Sequence, residues 1–323
     1  MTNYKIIQQR NIWLSISTIL FVIFGSALLV WGLKYGIDFT GGSLLEVKFL
    51  TASPTVSEVE TKLASLNLGS LIVQSVDEKG FIVRFQETSE EKHQAVLAKL
   101  NELTQSKDKG LVVEVSKDKK VAVDKTKEKT SDGIEELRFD SVGPSIGEEL
   151  KVKSIYAIIF VLLAILFYIT YVFRKVSKPV ASWKYGTAAL IALAHDTIIT
   201  LGVFAIFGKF LGVEINASFI AAILTVLGYS VHDTIVVFDR LRENLPKSRE
   251  DFEGTVNISL NQTLARSINT SLTVLLVLAP MIIFGGSSIR VFVSVLAIGI
   301  FIGTYSSIFV ASPILVIWEK WKK

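Results

Sequence analysis

The chain has 323 residues, of which 50% are hydrophobic and 20% are charged, and its mean hydropathy is +0.49. A soluble domain carries about 25% charged residues, and several apolar runs here reach the ~20 residues that a transmembrane helix needs. These two facts exclude a soluble enzyme. The chain contains no cysteine, which excludes disulfides, thiolate nucleophiles and cysteine-bound metal centres. The net charge of +4 does not indicate a nucleic-acid partner, because no basic stripe interleaved with aromatic residues is present.

Six segments are predicted to cross the membrane, so the expected fold class is an α-helical membrane protein with six transmembrane helices. The predicted spans are 12–33, 154–173, 187–207, 217–238, 268–284 and 291–317. The fifth is the shortest and contains Pro280, which a span tolerates where neighbouring helices satisfy the freed carbonyl group. The first is longer than the apolar region of a signal peptide and no A-x-A site follows it, so we expect an uncleaved anchor.

The Lys and Arg residues of the short connections predict the orientation of the chain, since such residues favour the cytoplasmic side. With the N-terminus inside, the cytoplasmic segments hold Lys5, Arg10, Arg174, Lys175, Lys178, Lys184, Arg240, Arg242, Lys247, Arg249, Arg266, Lys320, Lys322 and Lys323. The opposite turns hold little beyond Lys34, Lys209 and Arg290. Both termini are therefore predicted to be cytoplasmic.

These spans divide the chain into a cytoplasmic N-terminus, a first helix, an extracytoplasmic domain and a five-helix membrane domain. The predicted boundaries are 1–11, 12–33, 34–153 and 154–323, with cytoplasmic loops at 174–186 and 239–267. Long domains cross the membrane largely regardless of their charge. The extracytoplasmic domain, 34–153, is Lys-rich, and this composition is therefore compatible with an outside location.

The segment between the first two spans has the pattern of a small α+β domain. Strands are predicted at 44–50, 71–76, 81–85, 111–115 and 120–123, and helices at 56–66 and 90–103. This is the βαββαβ order of a ferredoxin-like sandwich, a fold that does not specify function. The Lys- and Asp-rich run 117–129 is expected to be a solvated loop. His93 has no second His nearby and is expected to be a surface residue.

Ionisable side chains inside the predicted spans are the candidate functional residues, because each costs about 2.5–3.5 kcal/mol at the bilayer centre. The tetrapeptide His-Asp-Thr-Ile occurs twice, as His195-Asp196 in the third span and His232-Asp233 in the fourth. At ~1.5 Å per residue, both carboxylates fall in the cytoplasmic half of the bilayer. Arg266 stands just before the fifth span, from which its guanidinium is expected to reach inward and pair with Asp233 when the carboxylate is ionised.

This arrangement predicts proton or ion traffic. A guanidinium that approaches and withdraws from a buried carboxylate makes the acid release and take up a proton in turn. The alternative is that the polar groups only join helices by hydrogen bonds, and for Asp196, His195 and His232 both interpretations stay open. Gly299-x-x-x-Gly303 in the last span predicts close helix packing that suits sliding contact.

Several motifs, in order along the chain, carry a family resemblance. Asp38-Phe39-Thr40-Gly41-Gly42 follows the first span directly, and taken alone it predicts only a glycine turn. The further blocks are 141–144, 147–150, 194–196, 228–244 and 261–271. Together they resemble the SecF family of protein-export membrane subunits, within the resistance–nodulation–division superfamily.

The resemblance implies a non-enzymatic accessory subunit of the Sec translocase in the bacterial cytoplasmic membrane. It implies SecD as a six-span partner, beside the SecYEG channel, the SecA motor, the exported unfolded polypeptide and membrane lipids. The complex would use the proton-motive force to complete export. Proton transport in the family is assigned to positions that match Asp233 and Arg266. No cofactor is implied beyond the coupling ion, H+ or, as in certain members, Na+. His232 replaces the Asn common among relatives and leaves the ion open.

Two other functions compete with this one. A transporter of lipids or small molecules from the same superfamily would need much larger outer domains with an apolar pocket, whereas the segment 35–153 barely suffices for one small sandwich. An intramembrane protease would use Asp196 and Asp233 as a dyad with carboxylates ~3 Å apart. Their different depths and the absence of a Gly-x-Gly-Asp setting argue against the protease.

Overall fold

The structure, a computed structural model, describes residues 4–51, 53–76, 79–105, 133–174 and 180–321. The chain divides into two units. We call Met1–Tyr35 with Val152–Lys323 the helical unit, and Gly36–Lys151 the sheet unit. In chain order the elements are α1 (Arg10–Trp31), α2 (Ile37–Thr40), β1 (Gly42–Phe49), α3 (Val56–Leu63), β2 (Ile72–Ser75), β3 (Gly80–Phe85), α4 (Glu90–Gln105), β4 (Ile134–Val142), α5 (Pro144–Val172), α6 (Ser182–Leu211), α7 (Ala217–Asn244), α8 (Phe252–Phe284), α9 (Ser287–Ser306) and α10 (Ser312–Lys320).

Six helical segments in the described part of the chain are long and apolar enough to cross a membrane, which confirms the predicted number of spans. They are α1, α5, α6, α7, α8 and the continuous stretch Ile289–Lys320. In α6, α7 and this last stretch, 50% of the most apolar window is buried, against 6% in α5. These three segments therefore form the centre of the helical unit, and the other helices lie around them.

Several helices are longer than hydropathy predicts. The fifth span is the second half of α8, which begins at Phe252, and α7 continues to Asn244. The predicted loop 239–267 is therefore mostly helix, and only residues 245–251 join the two helices. The first half of α8 is polar because its asparagines hold the N-terminal segment: Asn257 Oδ1 accepts from the Ile7 N–H at 3.2 Å. Likewise, α5 begins at Pro144 and not at 154.

The last span is not one regular helix. Between α9 and α10 the residues Ser307–Ala311 form a turn of π-helix. Pro313 lies in the first turn of α10. A proline inside a helix lacks the N–H and its ring clashes with the carbonyl four residues earlier. A widened turn before the proline relieves that clash while the helix axis continues.

The sheet unit contains a four-stranded antiparallel sheet in the order β2-β3-β1-β4. Leu45, Val47 and Phe49 alternate along β1 and are fully buried, as the period of two in a half-buried strand requires. They pack on one face of the sheet with Val59 and Leu63 of α3 and Val96 and Leu100 of α4. Thr55 and Glu58 form a capping box that fixes the start of α3.

The predicted strands 111–115 and 120–123 and the predicted loop 117–129 lie outside the described residues. Strand β4 itself was not predicted. Its register against β1 shifts between Glu46 and Val47, so that Arg138 and then Glu136 are paired and Leu137, which is 51% exposed, is passed over. This bulge breaks the alternation of apolar and polar residues that identifies a strand.

The prediction that His93 is a surface residue is wrong. Its side chain is buried, and its ring stacks on Phe139 with the centroids 3.7 Å apart. Nδ1 lies 3.1 Å from Oε1 of Glu90, and Nε2 lies 3.4 Å from Oε2 of Glu136. The error follows from the missed strand, because β4 supplies both Phe139 and Glu136.

Candidate ion site in the membrane helices

Asp196, near the middle of α6, is fully buried and is held by donors from three helices. Its Oδ2 accepts hydrogen bonds from Ser230 Oγ of α7 and Ser306 Oγ of α9, each at 2.7 Å. Its Oδ1 lies 3.0 Å from Nδ1 of His195. A buried carboxylate is stable only where such donors replace water. Asp196 therefore sits at the meeting point of the three central segments.

Asp233, on α7, is also buried, but its carboxylate is less well satisfied. The neighbouring hydroxyls belong to Ser267 of α8 and Ser307 of the π turn. In the described part of the chain, Asp233 Oδ2 and Ser267 Oγ have no partner in hydrogen-bonding geometry. An orphaned carboxylate oxygen in an interior is costly. Asp233 is therefore the less fully satisfied of the two buried aspartates.

Hydroxyl groups lie between the two carboxylates. Ser307 Oγ is 2.8 Å from Thr234 Oγ1 and also donates to the carbonyl of Gly303 at 2.9 Å. Ser306 Oγ lies 3.1 Å from that same carbonyl oxygen. The two aspartates and the hydroxyl groups around them therefore form one buried polar site. We call the hydroxyl-bearing residues of this site the hydroxyl cluster: Ser230, Thr234, Ser267, Ser306 and Ser307.

Arg266 does not pair with Asp233 in this structure, contrary to the sequence-based expectation. Its side chain is exposed, and no ion pair of Arg266 is found among the described residues. It lines a cavity of about 360 Å³ between α7 and α8, together with Asp239, Arg240, Glu243, Gln262 and Thr263. On α8 the neighbouring residue Ser267 faces Asp233 instead, because consecutive helical residues point about 100° apart. A pairing of Arg266 with Asp233 would require α8 to turn or slide.

The two histidines occupy different environments. His195 is buried, stacks on Phe21 with the centroids 6.3 Å apart, and has no partner for Nε2 among the described residues. His232 is exposed on the surface of α7. His195 therefore contributes a direct hydrogen bond to an aspartate, whereas His232 makes none with Asp233 among the described residues.

Gly299 and Gly303 lie where α9 crosses α7. A Cβ atom at Gly299 would come within 2.5 Å of the Val226 side chain, and one at Gly303 would come within 2.8 Å of Ser230 Cβ. Neither distance leaves room for a methyl group. The glycines thus bring α9 close enough for Ser306 to reach Asp196 across the helix interface.

The glycine motif after α1 is a tight turn within the sheet unit. Asp38, Phe39 and Thr40 belong to α2, and Gly41 and Gly42 follow with φ of +73° and +115°. Glycine adopts these angles without strain. A Cβ at Gly41 would lie 2.7 Å from Cα of Pro144, and one at Gly42 would lie 2.7 Å from the Phe85 carbonyl oxygen.

The block 141–150 packs on this turn, since a Cβ at Gly147 would lie 3.0 Å from the carbonyl group of Phe39. The first motif and the block 141–150 therefore pack directly on each other, although about a hundred residues of chain separate them. In the described residues, no group of three or more His, Asp or Glu side chains is arranged to hold a metal ion.

Sequence reasoning missed three members of the hydroxyl cluster: Ser230, Ser306 and Ser307. Isolated serines are common in membrane helices, so hydropathy did not separate them from their neighbours. The available signal was the pair Ser306-Ser307 a few residues before Pro313, where a disturbed helix is expected.

Comparisons with known proteins identify the family. The family model described as protein export membrane protein SecD/SecF, C-terminal, matches residues 122–321, and that of the SecD/SecF GG motif matches residues 27–49. Protein translocase subunit SecF of Thermobaculum terrenum is 44% identical over 294 residues, which cover 90% of this chain and 86% of the relative. The chain belongs to the SecF family of protein translocase subunits.

A second SecF relative, from Anaerolinea thermophila, is 36% identical over 98% of this chain and 94% of its own length. Among solved structures, the crystal structure of SecDF from Thermus thermophilus, a translocon-associated membrane protein, matches with a TM-score of 0.77 and 30% identity. It covers 99% of this chain, and this chain spans 39% of the SecDF chain. The SecF assignment drawn from the motifs is thus confirmed, and the chain is a multi-pass membrane protein of the protein-export machinery.

Proposed function

We propose that this SecF-family chain works as a non-enzymatic subunit that joins SecD to convert the proton-motive force into late steps of protein export. The observation that carries the proposal is the pair of buried aspartates, Asp196 and Asp233, at the centre of the membrane helices. Each elementary charge that crosses 100 mV releases about 2.3 kcal/mol. An ionisable group held in the bundle by movable hydroxyls is a means of coupling that energy to helix motion.

The proposed ion route runs through Asp233, with Asp196 and His195 as a second, fully buried station. Arg266 enters by a movement of α8, since it now lines the cavity beside Asp239 and Arg240. When its guanidinium approaches, Asp233 ionises, and when it withdraws, the carboxylate takes up a proton. H+ is the proposed coupling ion, and Na+ is the alternative that ion-exchange assays must separate.

Assembly with SecD is part of the proposal. The matching SecDF chain is more than twice the length that this chain covers. In addition, α8 presents a long apolar face with little cover, including Leu276, Val277 and Phe284, which are 63%, 66% and 84% exposed. SecYEG, SecA and the exported unfolded polypeptide are proposed as further partners. A chain that stays alone when purified after co-expression with SecD contradicts this part.

The proposed orientation has both termini in the cytoplasm and the sheet unit outside. We interpret the sheet unit as ferredoxin-like, because its described elements follow the order strand, helix, two strands, helix, strand around an antiparallel sheet. Since the chain has no cysteine, single cysteines are clean probes. Ser65→Cys should react with a membrane-impermeant maleimide added outside intact cells, and Glu250→Cys should not. The reverse pattern overturns the orientation.

The decisive experiment measures proton flux in proteoliposomes that contain the complex with SecD, alongside late-stage secretion in cells. Asp233→Asn should reduce both at least tenfold, because the amide cannot cycle between charged and neutral forms. Glu250→Gln is the control. Glu250 is exposed in the short connection between α7 and α8 and is not among the residues that line the cavity beside Arg266, so this variant should leave flux unchanged. Normal flux from Asp233→Asn would remove the proposed ion site.

A further inference from the structure

Two consecutive serines lie in the same buried cluster where α9 meets the π turn: Ser306 is the last residue of α9 and Ser307 the first of the π turn. Both are fully buried, and their Oγ atoms lie 3.1 and 2.9 Å from the carbonyl oxygen of Gly303. In a regular α-helix, neighbouring residues point about 100° apart and contact different surroundings. Single π turns inside α-helices occur frequently at functional sites. At this junction, two adjacent residues of one segment both place their hydroxyl groups in the centre of the bundle.

Each of these serines lies next to a different aspartate. Ser306 Oγ donates to Asp196 Oδ2 at 2.7 Å. Ser307 is a neighbour of Asp233, but its hydroxyl is engaged with Thr234 Oγ1 at 2.8 Å. Ser306 and Ser307, which are adjacent in the backbone where α9 meets the π turn, therefore connect the two carboxylates. The aspartates themselves lie on α6 and α7.

The two carboxylates differ in how many donors they have. Asp196 accepts hydrogen bonds from Ser230 and Ser306 and lies against His195. Asp233 has a buried oxygen without a partner among the described residues, and so does the nearby hydroxyl of Ser267. A carboxylate that ionises in an interior needs donors in place of water. The two hydroxyls next to Asp233 that can supply them are those of Ser267 and Ser307.

We propose that Ser267 and Ser307 are positioning residues that recognise the ionised form of Asp233. When the carboxylate loses its proton, Ser307 turns its hydroxyl from the Gly303 carbonyl to Asp233, and Ser267 donates from α8. The neutral acid does not need both donors and releases them. Ser306, the residue before Ser307, follows its movement, so the ionisation of Asp233 alters the hydrogen bond to Asp196. Because Arg266 precedes Ser267 on α8, the same movement changes the position of the guanidinium. This inference rests on the proposed function.

The first test uses proton flux in the reconstituted complex with SecD. Ser307→Ala and Ser267→Ala should each reduce flux about tenfold or more, the effect expected when one hydrogen bond to a charged group is lost. Ser307→Thr keeps the hydroxyl and should recover most of the flux. Thr200→Val is the control, because the Thr200 hydroxyl is equally buried but, among the described residues, donates only to a backbone carbonyl, that of Asp196. Full flux from both alanine variants overturns the proposal.

The second test uses a readout that loss of packing would not change. Infrared difference spectra of the complex give the carboxyl bands of Asp196 and Asp233, assigned by their loss in the Asp→Asn variants. In the otherwise unaltered chain, Asp233→Asn should shift the Asp196 band, because the π turn links the two groups. In a Ser307→Ala chain the same substitution should leave the Asp196 band in place. An equal shift in both chains overturns the coupling through Ser307.

These results separate this inference from the function on which it depends. If the unaltered complex carries no proton flux, the proposed function fails, and the infrared coupling still decides whether Ser307 links the aspartates. If flux is present and is abolished by Asp233→Asn but not by the serine variants, the function stands and the positioning role is wrong. Co-purification with SecD shows for each variant that the chain has folded and assembled.

Discussion

The two units of the molecule hold their buried polar groups in different ways. In the sheet unit, the His93 ring lies between two carboxylates, Glu90 and Glu136, which are partly open to water. In the helical unit, hydroxyl groups donate to Asp196 and lie next to Asp233, His195 lies against Asp196, and no Lys or Arg pairs with either aspartate among the described residues. Ionised carboxylates only accept hydrogen bonds, whereas hydroxyls serve as donors or acceptors. The buried group of the sheet unit is therefore held by acceptors, and the buried aspartates of the helical unit are held mainly by neutral groups that can donate or accept.

The largest effect should come from removing the hydroxyls around Asp196. The double variant Ser230→Ala, Ser306→Ala leaves Oδ2 without both of its donors at 2.7 Å. An unsatisfied buried polar group costs about 1–3 kcal/mol. We therefore expect the free energy of unfolding to fall by that order, measured as a lower midpoint of thermal unfolding in detergent.

The control for this prediction is a cycle with Asp196→Leu, which removes the acceptor itself. In that background the same serine substitutions should cost much less, because no buried carboxylate is left unpaired. Equal losses in both backgrounds would mean that the serines act by packing, and the contrast between the units would then lose its basis.

A smaller effect is expected at His93 in the sheet unit. His93→Ala removes a ring stacked at 3.7 Å on Phe139 and leaves Glu136 without this neighbour. Stacked rings contribute about 0.5–1.5 kcal/mol beyond burial. Amide exchange in α4 and β4 should therefore accelerate in the full chain. His93→Phe restores the ring but not its contacts with Glu90 and Glu136, and should recover only part of the protection. Complete recovery would show that these polar contacts contribute nothing.

Acidification gives an independent check of the same contact. Hydrogen bonds from the Gln94 amide and from His93 hold the pKa of the Glu90 carboxyl below its ordinary value. The stabilisation by this group is therefore present above the ordinary carboxyl pKa and is lost as the pH falls through the lowered pKa. Exchange in α4 should accelerate over that acid range, and Glu90→Gln should remove this dependence.

Charge pairing also occurs in the helical unit, but at its margin. Glu253 at the start of α8 accepts from Arg10 Nη1 at 2.7 Å and from Lys320 Nζ at 2.5 Å, and its side chain is 18% exposed. Glu253→Gln should cost about 1 kcal/mol or less, measured by thermal unfolding. The loss should shrink at high salt, since partly exposed pairs are screened. The serine variants around Asp196 should show no such salt dependence.

The long apolar runs were sufficient to predict the membrane-spanning segments, because a continuous run of that length favours the interior of the bilayer. It failed where polar residues are buried against other parts of the same chain. The first half of α8 was missed because Asn257 binds the N-terminal segment, and β4 was missed because a bulge interrupts its alternation. Local patterns cannot report such long-range partners.

The candidate site shows the same limit. The aspartates were found because a charge in a span is rare, whereas Ser306 and Ser307 were overlooked because serine in a span is ordinary. The pairing of Arg266 with Asp233 was expected from proximity along neighbouring helices, but proximity does not fix which face of α8 a residue occupies. Only the packing of α8 on α7 decides that Ser267 and not Arg266 faces the carboxylate.

The smallest effect should be found at an exposed ion-pair group of the sheet unit. The ammonium groups of Lys62 and Lys99 hold the pKa of the Glu102 carboxyl below its ordinary value, at 2.8 and 3.0 Å. This contribution is present above the ordinary carboxyl pKa and is lost as the pH falls through the lowered one. Because the pair lies in water and is screened, Glu102→Gln should leave the unfolding midpoint at neutral pH almost unchanged, and the remaining difference should disappear in acid. A loss as large as that of His93→Ala would mean that exposure does not decide how much a charge pair contributes, and the distinction between the two units would need another cause.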